Sequence, residues 1–208
     1  MTKDRYLQKI VELEWNMFSR VQNAGGPAAC QNDPATFRIM RTSQCAGWPE
    51  KLLASYLADL ETAQAAGRNL LTEKYAWMMR STCPEEFAAL EKSLPKVEDA
   101  VMSQIDSIVA VNIAWQEDIA RRYPCLAAHG RPLRSSADSR CVTSVETYLR
   151  SELMTWSPKT IAMYREYTMN KRDSGGNDAE DNLRSQMLQY GFSSLDDAEC
   201  RLVSSARG

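Results

Sequence analysis

A lysine within an apolar helical stripe is the feature of this sequence that most strongly indicates chemistry. Residues 67–79 form a helical pattern, and at about 100° per residue Lys74 falls in the middle of its apolar face. Its neighbours on that face are Leu70, Leu71, Trp77 and Met78. A buried ammonium without partners costs several kcal/mol, so the pattern predicts that Lys74 faces inward and that other polar groups meet it there.

Polar residues also fall inside or beside the apolar arcs of other predicted helices. They are Glu14 on the first helix, Asn112 and Gln116 on a long central helix, and Glu146 and Glu152 on a later helix. So many inward polar positions favour a lined cavity. A single buried ion pair of Glu14 with Lys74, which would set helix register, is the alternative.

If the polar cluster is catalytic, Lys74 and Glu14 are the candidate acid–base pair. Tyr75 is the third catalytic candidate, as a residue that would orient the substrate. An amino-acid-like or carboxylate substrate that undergoes elimination, cyclisation or isomerisation fits such a site. A Schiff base on Lys74 is a variant of this hypothesis.

Other residues are candidates for substrate binding. Arg41 or Arg68 would hold a carboxylate, because a guanidinium pairs with it through two parallel hydrogen bonds. The further binding candidates are Cys30, Tyr56, Asn69, Asn112, Gln116 and Glu146. Cys30 lies just before a helix start, which could make its thiol nucleophilic, although a packed thiol is the more ordinary interpretation. Arg131, Arg134 and Arg140 form either an anion-binding loop or a solvated basic loop.

Composition and missing motifs narrow the function classes. The formal charge of -2 over 208 residues gives no reason to expect nucleic acid or an anionic membrane as a partner. No apolar run reaches the length of a membrane span, and the charged N-terminal segment does not resemble a signal peptide, so we expect a cytoplasmic protein. The expected partner is a small-molecule substrate, with a homodimer left open.

No metal or other cofactor is predicted. His129 is the only histidine, whereas the Glu-x-x-His pairs of di-iron bundles need two. The six cysteines lack the short paired spacings of zinc sites and are expected to be reduced thiols. No glycine-rich phosphate-binding motif occurs.

The helix signals predict an all-α fold, a single multi-helix bundle of about eight to ten helices without significant sheet. The main signals are Asp33-Pro34, Trp48-Pro49, Gly67, Pro84, a central helix over 97–123, a capping box at Thr143–Glu146, Ser157-Pro158 and Gly191. The first helix is expected over 3–23, residues 125–140 are expected to be irregular, and residues 174–178 to form a linker. We expect one domain over 1–208, in which the halves 1–95 and 96–208 could pack together.

Several blocks of the sequence resemble a bacterial and fungal family known as domain of unknown function 4125. The similar blocks include Glu14–Phe18, Phe37–Gln44, Gly67–Met79, Arg131–Leu133 and Glu146–Leu153, within a resemblance from about residue 5 to 200. Some bacterial members are joined to a nucleotidyltransferase-like domain, which implies an accessory role for them. The resemblance supplies no assigned catalytic residues.

Two functional hypotheses therefore stand. One is a small cofactor-independent enzyme of small-molecule metabolism, secondary metabolism included, that uses Lys74 and Glu14. The other is a non-catalytic helical module that binds a ligand or serves as a scaffold, with a buried ion pair that is purely structural.

Overall fold

A computed structural model of the protein describes residues 1–22 and 29–205, and within them the secondary structure is helical. The α-helices in chain order are α1 Lys3–Phe18, α2 Pro34–Cys45, α3 Glu50–Ala65, α4 Leu70–Thr82, α5 Pro84–Leu90, α6 Asp99–Arg122, α7 Pro124–Ala128, α8 Val145–Leu153, α9 Pro158–Asp173, α10 Asp178–Gln189 and α11 Leu195–Ser205. These ranges contain no strand, only one isolated bridge between Ser139 and Val142. The predicted all-α bundle is confirmed.

Capping side chains explain why several helices begin where they do. Asp33 accepts a hydrogen bond from the amide of Thr36 at the start of α2, and Ser157 accepts one from the amide of Thr160 at the start of α9. Each cap is followed by a proline, which needs no hydrogen-bond acceptor at that position. These signals were predicted correctly from the sequence.

Three boundaries differ from the sequence-based expectation. α8 is capped by Ser144, whose hydroxyl accepts from the Thr147 amide, so the cap lies one residue after the predicted Thr143. The stretch expected to be irregular contains α7, which begins at Pro124. α1 ends at Phe18 instead of Asn23, and the predicted stop signal at 24–27 lies outside the described residues.

The segment 174–178 is a helix-ending turn and not a linker. Gly175 has a φ of 76°, and its amide donates to the carbonyl of Arg172 while the Gly176 amide donates to that of Lys171. Such a turn ends a helix in the left-handed conformation that glycine adopts without strain. Asn177 then caps α10 by accepting from the Glu180 amide, so α10 follows α9 directly.

The main core draws on both halves of the sequence. Ile10, Leu53, Leu60, Ile105, Ile108, Leu153 and Ile161 are fully buried in it, with a smaller cluster around Trp115 and Leu195. α4 packs against α8, and α6 against α8 and α9, so helices from either side of residue 95 share this core. The division into halves 1–95 and 96–208 stays a prediction. In the described part of the chain no helix is both long and apolar enough to cross a bilayer.

Asn69 ties α4 to α1 and determines where α4 begins. Its side-chain oxygen accepts from the amides of Leu71 and Thr72, both at 3.0 Å, while its side-chain nitrogen donates to the carbonyl of Met17 at 2.8 Å. This positions the first turn of the helix that carries Lys74.

Replacing Asn69 with alanine should lower the free energy of unfolding by about 1–2 kcal/mol, because the cap and the bond to α1 are both lost. Asn69→Asp keeps the capping oxygen and should cost less. Denaturant unfolding at neutral pH measures both, with Asn16→Ala on the exposed face of α1 as the control. A change within about 0.5 kcal/mol of the parent would contradict this role for Asn69.

Candidate functional site

Lys74 is buried, as the sequence predicts, and its partner is Glu152. The residue is 1% exposed, and its Nζ donates to Oε2 of Glu152 at 2.5 Å. The two residues lie on α4 and α8, which pack directly against each other. A carboxylate thus meets the ammonium inside the bundle, which offsets part of its desolvation cost.

Arg41 connects this pair to Glu14. Its Nη1 donates to Oε1 of Glu152 at 3.0 Å, while its Nε donates to Oε2 of Glu14 at 2.7 Å and its Nη2 to Oε1 of Glu14. The contact with Glu14 is the two-pronged pairing that a guanidinium makes with a carboxylate. Tyr56 completes the series, because its hydroxyl donates to Oε1 of Glu14 at 2.6 Å.

We call Glu14, Arg41, Tyr56, Lys74 and Glu152 the charged network. Its members come from α1, α2, α3, α4 and α8 in that order, so one set of hydrogen bonds joins five helices. Gln44 supports it from α2 by accepting from Arg41 and donating to Glu152. The two cations and two carboxylates balance, so the network places no net charge in the core.

Glu152 and Arg41 are held in their charged forms. Burial by itself would raise the pKa of Glu152, but the charges of Arg41 and Lys74 and their hydrogen bonds lower it to about 2. Burial opposes the charge on Arg41 as well, yet Glu14 and Glu152 hold the pKa of Arg41 well above its ordinary value. The pKa of Tyr56 is raised by burial and by the Glu14 carboxylate, so its phenol stays a hydrogen-bond donor.

A cavity of about 260 Å³ adjoins the network, and we call it the Lys74 pocket. Arg41 and Lys74 belong to its wall as well as to the network. Its other wall residues are mainly aromatic and apolar, namely Phe18, Phe37, Met40, Leu71, Tyr75 and Tyr148. Asp33, Thr36 and Arg131 supply the remaining polar groups. An apolar cavity with a few converging polar groups is the usual form of a small-molecule site.

Tyr148 lies between the network and the outer part of this pocket. The Nζ of Lys74 is 3.4 Å from the centre of its ring, and the Cζ of Arg131 is 4.7 Å from the same centre. Both distances are those of cation–π contacts. Arg131 also donates to the carbonyl of Thr143, and it forms no ion pair with any carboxylate among the residues that the structure describes.

The structure brings together five of the predicted site residues. Glu14, Arg41, Tyr56 and Lys74 belong to the charged network, and Tyr75 lies on the wall of the pocket. Within the described chain, however, no hydrogen bond or ion pair joins Glu14 to Lys74. Arg41 and Glu152 stand between them, so the predicted Glu14–Lys74 pair is replaced by a longer series.

Other predicted binding residues lie elsewhere. Arg68 is exposed and forms a two-pronged pair with Glu73, because it precedes α4 instead of lying on its inner face. Asn69 is the cap of α4, and Glu146 accepts from the Ser135 amide. Asn112 and Gln116 are half-buried on α6 and contribute to neither the network nor the pocket. The side chain of Cys30 lies outside the described residues.

Gln44 and Tyr148 were not predicted as site residues from the sequence, and Arg131 was predicted only as one of three arginines in a loop that could bind an anion. Glu152 was recognisable as a polar residue beside an apolar stripe, but nothing in the sequence preferred it to Glu146. Of the three loop arginines only Arg131 reaches the pocket, since Arg134 pairs with Glu117 and Arg140 with Glu86. His129 is exposed, and the described residues contain no cluster of three or more metal-ligating side chains.

The fold and site define a helical bundle with a buried charged network beside an aromatic pocket. The chain belongs to the family described as protein of unknown function (DUF4125), whose model matches residues 4–200. No curated protein and no solved structure gave a significant match. That some bacterial members of the family carry a fused nucleotidyltransferase-like domain stays an implication of the resemblance alone.

The network predicts strong coupling between Lys74 and Glu152. Lys74→Met leaves a net negative charge in the core and should lower the free energy of unfolding by about 3 kcal/mol. Glu152→Gln leaves a net positive charge there and should cost about the same. The double variant restores the balance, and the amide introduced at position 152 can still accept from Arg41. Denaturant unfolding of the parent, the two single variants and the double variant measures this coupling. The free energy of unfolding of the double variant should be at least about 1 kcal/mol higher than the sum of the two single costs predicts. Additive costs would contradict a shared network.

The low pKa of Glu152 also predicts an acid-side loss of stability. Because the folded-state pKa is about 2 and the unfolded value is near 4.5, the stabilising contribution is complete above about pH 4.5 and is lost as the pH falls toward 2. The stability difference between the parent and Glu152→Gln should therefore shrink over this range. Unfolding measured from pH 6 to 3 tests this, with Glu146→Gln as the control. A constant difference would contradict the assignment.

Proposed function

We propose that this protein is a non-catalytic helical module that binds a small carboxylate-bearing molecule in the Lys74 pocket. The observation that carries the proposal is that Arg41 and Lys74 belong to the charged network and to the Lys74 pocket. They hold the helices together and also form part of the pocket wall. The network thus gives the pocket a fixed shape before a ligand arrives, which lowers the entropic cost of binding.

The charge arrangement favours binding over acid–base catalysis. A general base works best with a pKa near the working pH, whereas the pKa of Glu152 is about 2. Glu14 already accepts three hydrogen bonds from Arg41 and Tyr56. A Schiff base would require the neutral amine of Lys74, and its interaction with Glu152 would first have to break.

A second candidate function is the cofactor-independent acid–base enzyme acting on an amino-acid-like or carboxylate substrate by elimination, cyclisation or isomerisation. It is supported by the position of Lys74 and Tyr75, since both border the pocket and a bound molecule would lie against them. Proton NMR of a bound ligand over hours separates the candidates. Turnover that is lost in Lys74→Met, or a lysine adduct trapped by borohydride, would favour the enzyme.

The cellular location, the biological process and the assembly state are also proposals. A role in biosynthesis is supported by the small pocket, and a cytoplasmic location stays a prediction. The exclusion of nucleic acid and membrane as partners rests on the formal charge of -2. A homodimer stays a prediction.

The binding proposal predicts that filling the pocket abolishes ligand stabilisation. The probes are the standard amino acids and their deaminated acids, screened by the thermal unfolding midpoint. At least one should stabilise the parent, and Met40→Trp should remove that effect because the indole occupies the cavity that Met40 borders. Arg38→Trp, exposed on the same helix, is the matched control. No stabilisation by any probe, or equal stabilisation of Met40→Trp, would overturn the proposal.

A further inference from the structure

We propose that the Lys74 pocket recognises a zwitterionic aromatic α-amino acid, with its carboxylate at Arg131, its ammonium at Asp33 and its ring among Phe18, Phe37 and Tyr75. This inference rests on the proposed binding function and specifies its ligand class. Three properties of the pocket carry it, namely the charges that the network leaves unbalanced, the arrangement of the rings and the size of the cavity.

The first property is charge. Four charged residues line the pocket, and the positive charges of Arg41 and Lys74 are balanced by Glu14 and Glu152 behind the wall. The other two charged residues of the pocket wall are Arg131 and Asp33. In the described chain Arg131 donates to the Thr143 carbonyl and lies over the Tyr148 ring, but it forms no ion pair. A guanidinium is well suited to binding a carboxylate.

Asp33 supplies the complementary negative charge. It is exposed, and a hydrogen bond from the Thr36 amide lowers the pKa of its carboxyl, so it is ionised at neutral pH. The Thr36 amide donates to Oδ1, and the Thr36 side chain and the Ala35 amide add further hydrogen bonds, but no cation of the described chain pairs with this carboxylate. One uncompensated cation and one uncompensated anion on the wall of a single small cavity match the two charges of an α-amino acid.

The second property is the arrangement of the aromatic rings. Phe18 and Phe37 are stacked with their ring centres 5.1 Å apart and their planes 15° apart. Tyr75 lies on Phe18 with ring centres 6.5 Å apart and planes 29° apart, so Phe18 has a stacked ring partner in both Phe37 and Tyr75. A flat side chain extends such a stack, and aromatic rings in contact are stabilised beyond the burial of their apolar surface. An aliphatic side chain is stabilised there only by the burial of its apolar surface.

The third property is size. A cavity of roughly 150 Å³ lined by apolar side chains accommodates benzene. The Lys74 pocket, at about 260 Å³, therefore has room for a ring together with the backbone atoms of an amino acid. Lys74 adds a donor to the wall without adding net charge, since Glu152 balances it.

The test uses isothermal titration of the full chain with four probes that remove one feature at a time. L-Phenylalanine has the ring and both charges, 3-phenylpropionate lacks the ammonium, phenethylamine lacks the carboxylate, and L-leucine lacks the ring. L-Phenylalanine should bind most tightly. Each of the other three should bind at least about tenfold more weakly, the effect expected from one lost charge-assisted hydrogen bond or ring contact.

Two charge-removing variants assign the contacts. Arg131→Gln should weaken L-phenylalanine about tenfold and leave phenethylamine unchanged, because that probe has no carboxylate. Asp33→Asn should weaken L-phenylalanine and leave 3-phenylpropionate unchanged, and asparagine is as good a helix cap as aspartate, so α2 should stay intact. Arg134→Gln, in the same loop but outside the pocket, is the control.

The outcomes separate this inference from the proposed function. If the screen finds a ligand that Met40→Trp no longer binds, but the four probes bind equally or the variants do not discriminate among them, the zwitterion assignment is wrong and the binding function stands. If no probe stabilises the parent, both proposals fail. Weaker binding of L-phenylalanine by both variants, with phenethylamine unchanged in Arg131→Gln and 3-phenylpropionate unchanged in Asp33→Asn, would support both proposals.

Discussion

The guanidinium of Arg41, held between two buried carboxylates, is the interaction on which the rest of the structure depends. One edge of the guanidinium pairs with Glu14 on α1, and Nη1 reaches Glu152 on α8. Through those carboxylates it is joined to Tyr56 on α3 and Lys74 on α4. Because a buried charge left without its partner is costly, packings that separate these helices are disfavoured, and the network acts as a constraint on how the helices assemble.

The core can contain this network because its charges balance. Replacing buried ion pairs with apolar residues is often neutral or stabilising, so the network is not by itself a source of extra stability. Its contribution is to specify one arrangement, because its hydrogen bonds are directional whereas the surrounding leucine and isoleucine contacts are not. Two tryptophans of the apolar core, Trp48 and Trp156, pack on Tyr56 of the network. Their ring centres lie 5.9 and 4.7 Å from that of Tyr56.

The pocket derives its character from the network behind it. Arg41 and Lys74 present polar groups to the cavity, and Glu14 and Glu152 cancel their charge. The inner wall of the pocket can therefore be apolar and aromatic, because no net charge acts on it. The unbalanced charges lie instead at Arg131 and Asp33. This division separates the groups that hold the fold from the groups that would select a ligand. The charge balance explains why a helical bundle can keep ionised side chains in its core beside an aromatic cavity.

The sequence by itself determined most of the helices, the caps of α2 and α9, and the inward direction of Lys74 and Glu14, because these depend on periodicity and on interactions within a few residues. Only the tertiary structure decided the pairing. Lys74 meets Glu152 at a separation of 78 residues and Arg41 meets Glu152 at 111, and a helical wheel gives direction about one axis without saying which helix lies opposite. For the same reason Asn112 and Gln116 were predicted at a site that they do not reach, while Arg131, in a loop without periodicity, was brought to the pocket by the fold alone.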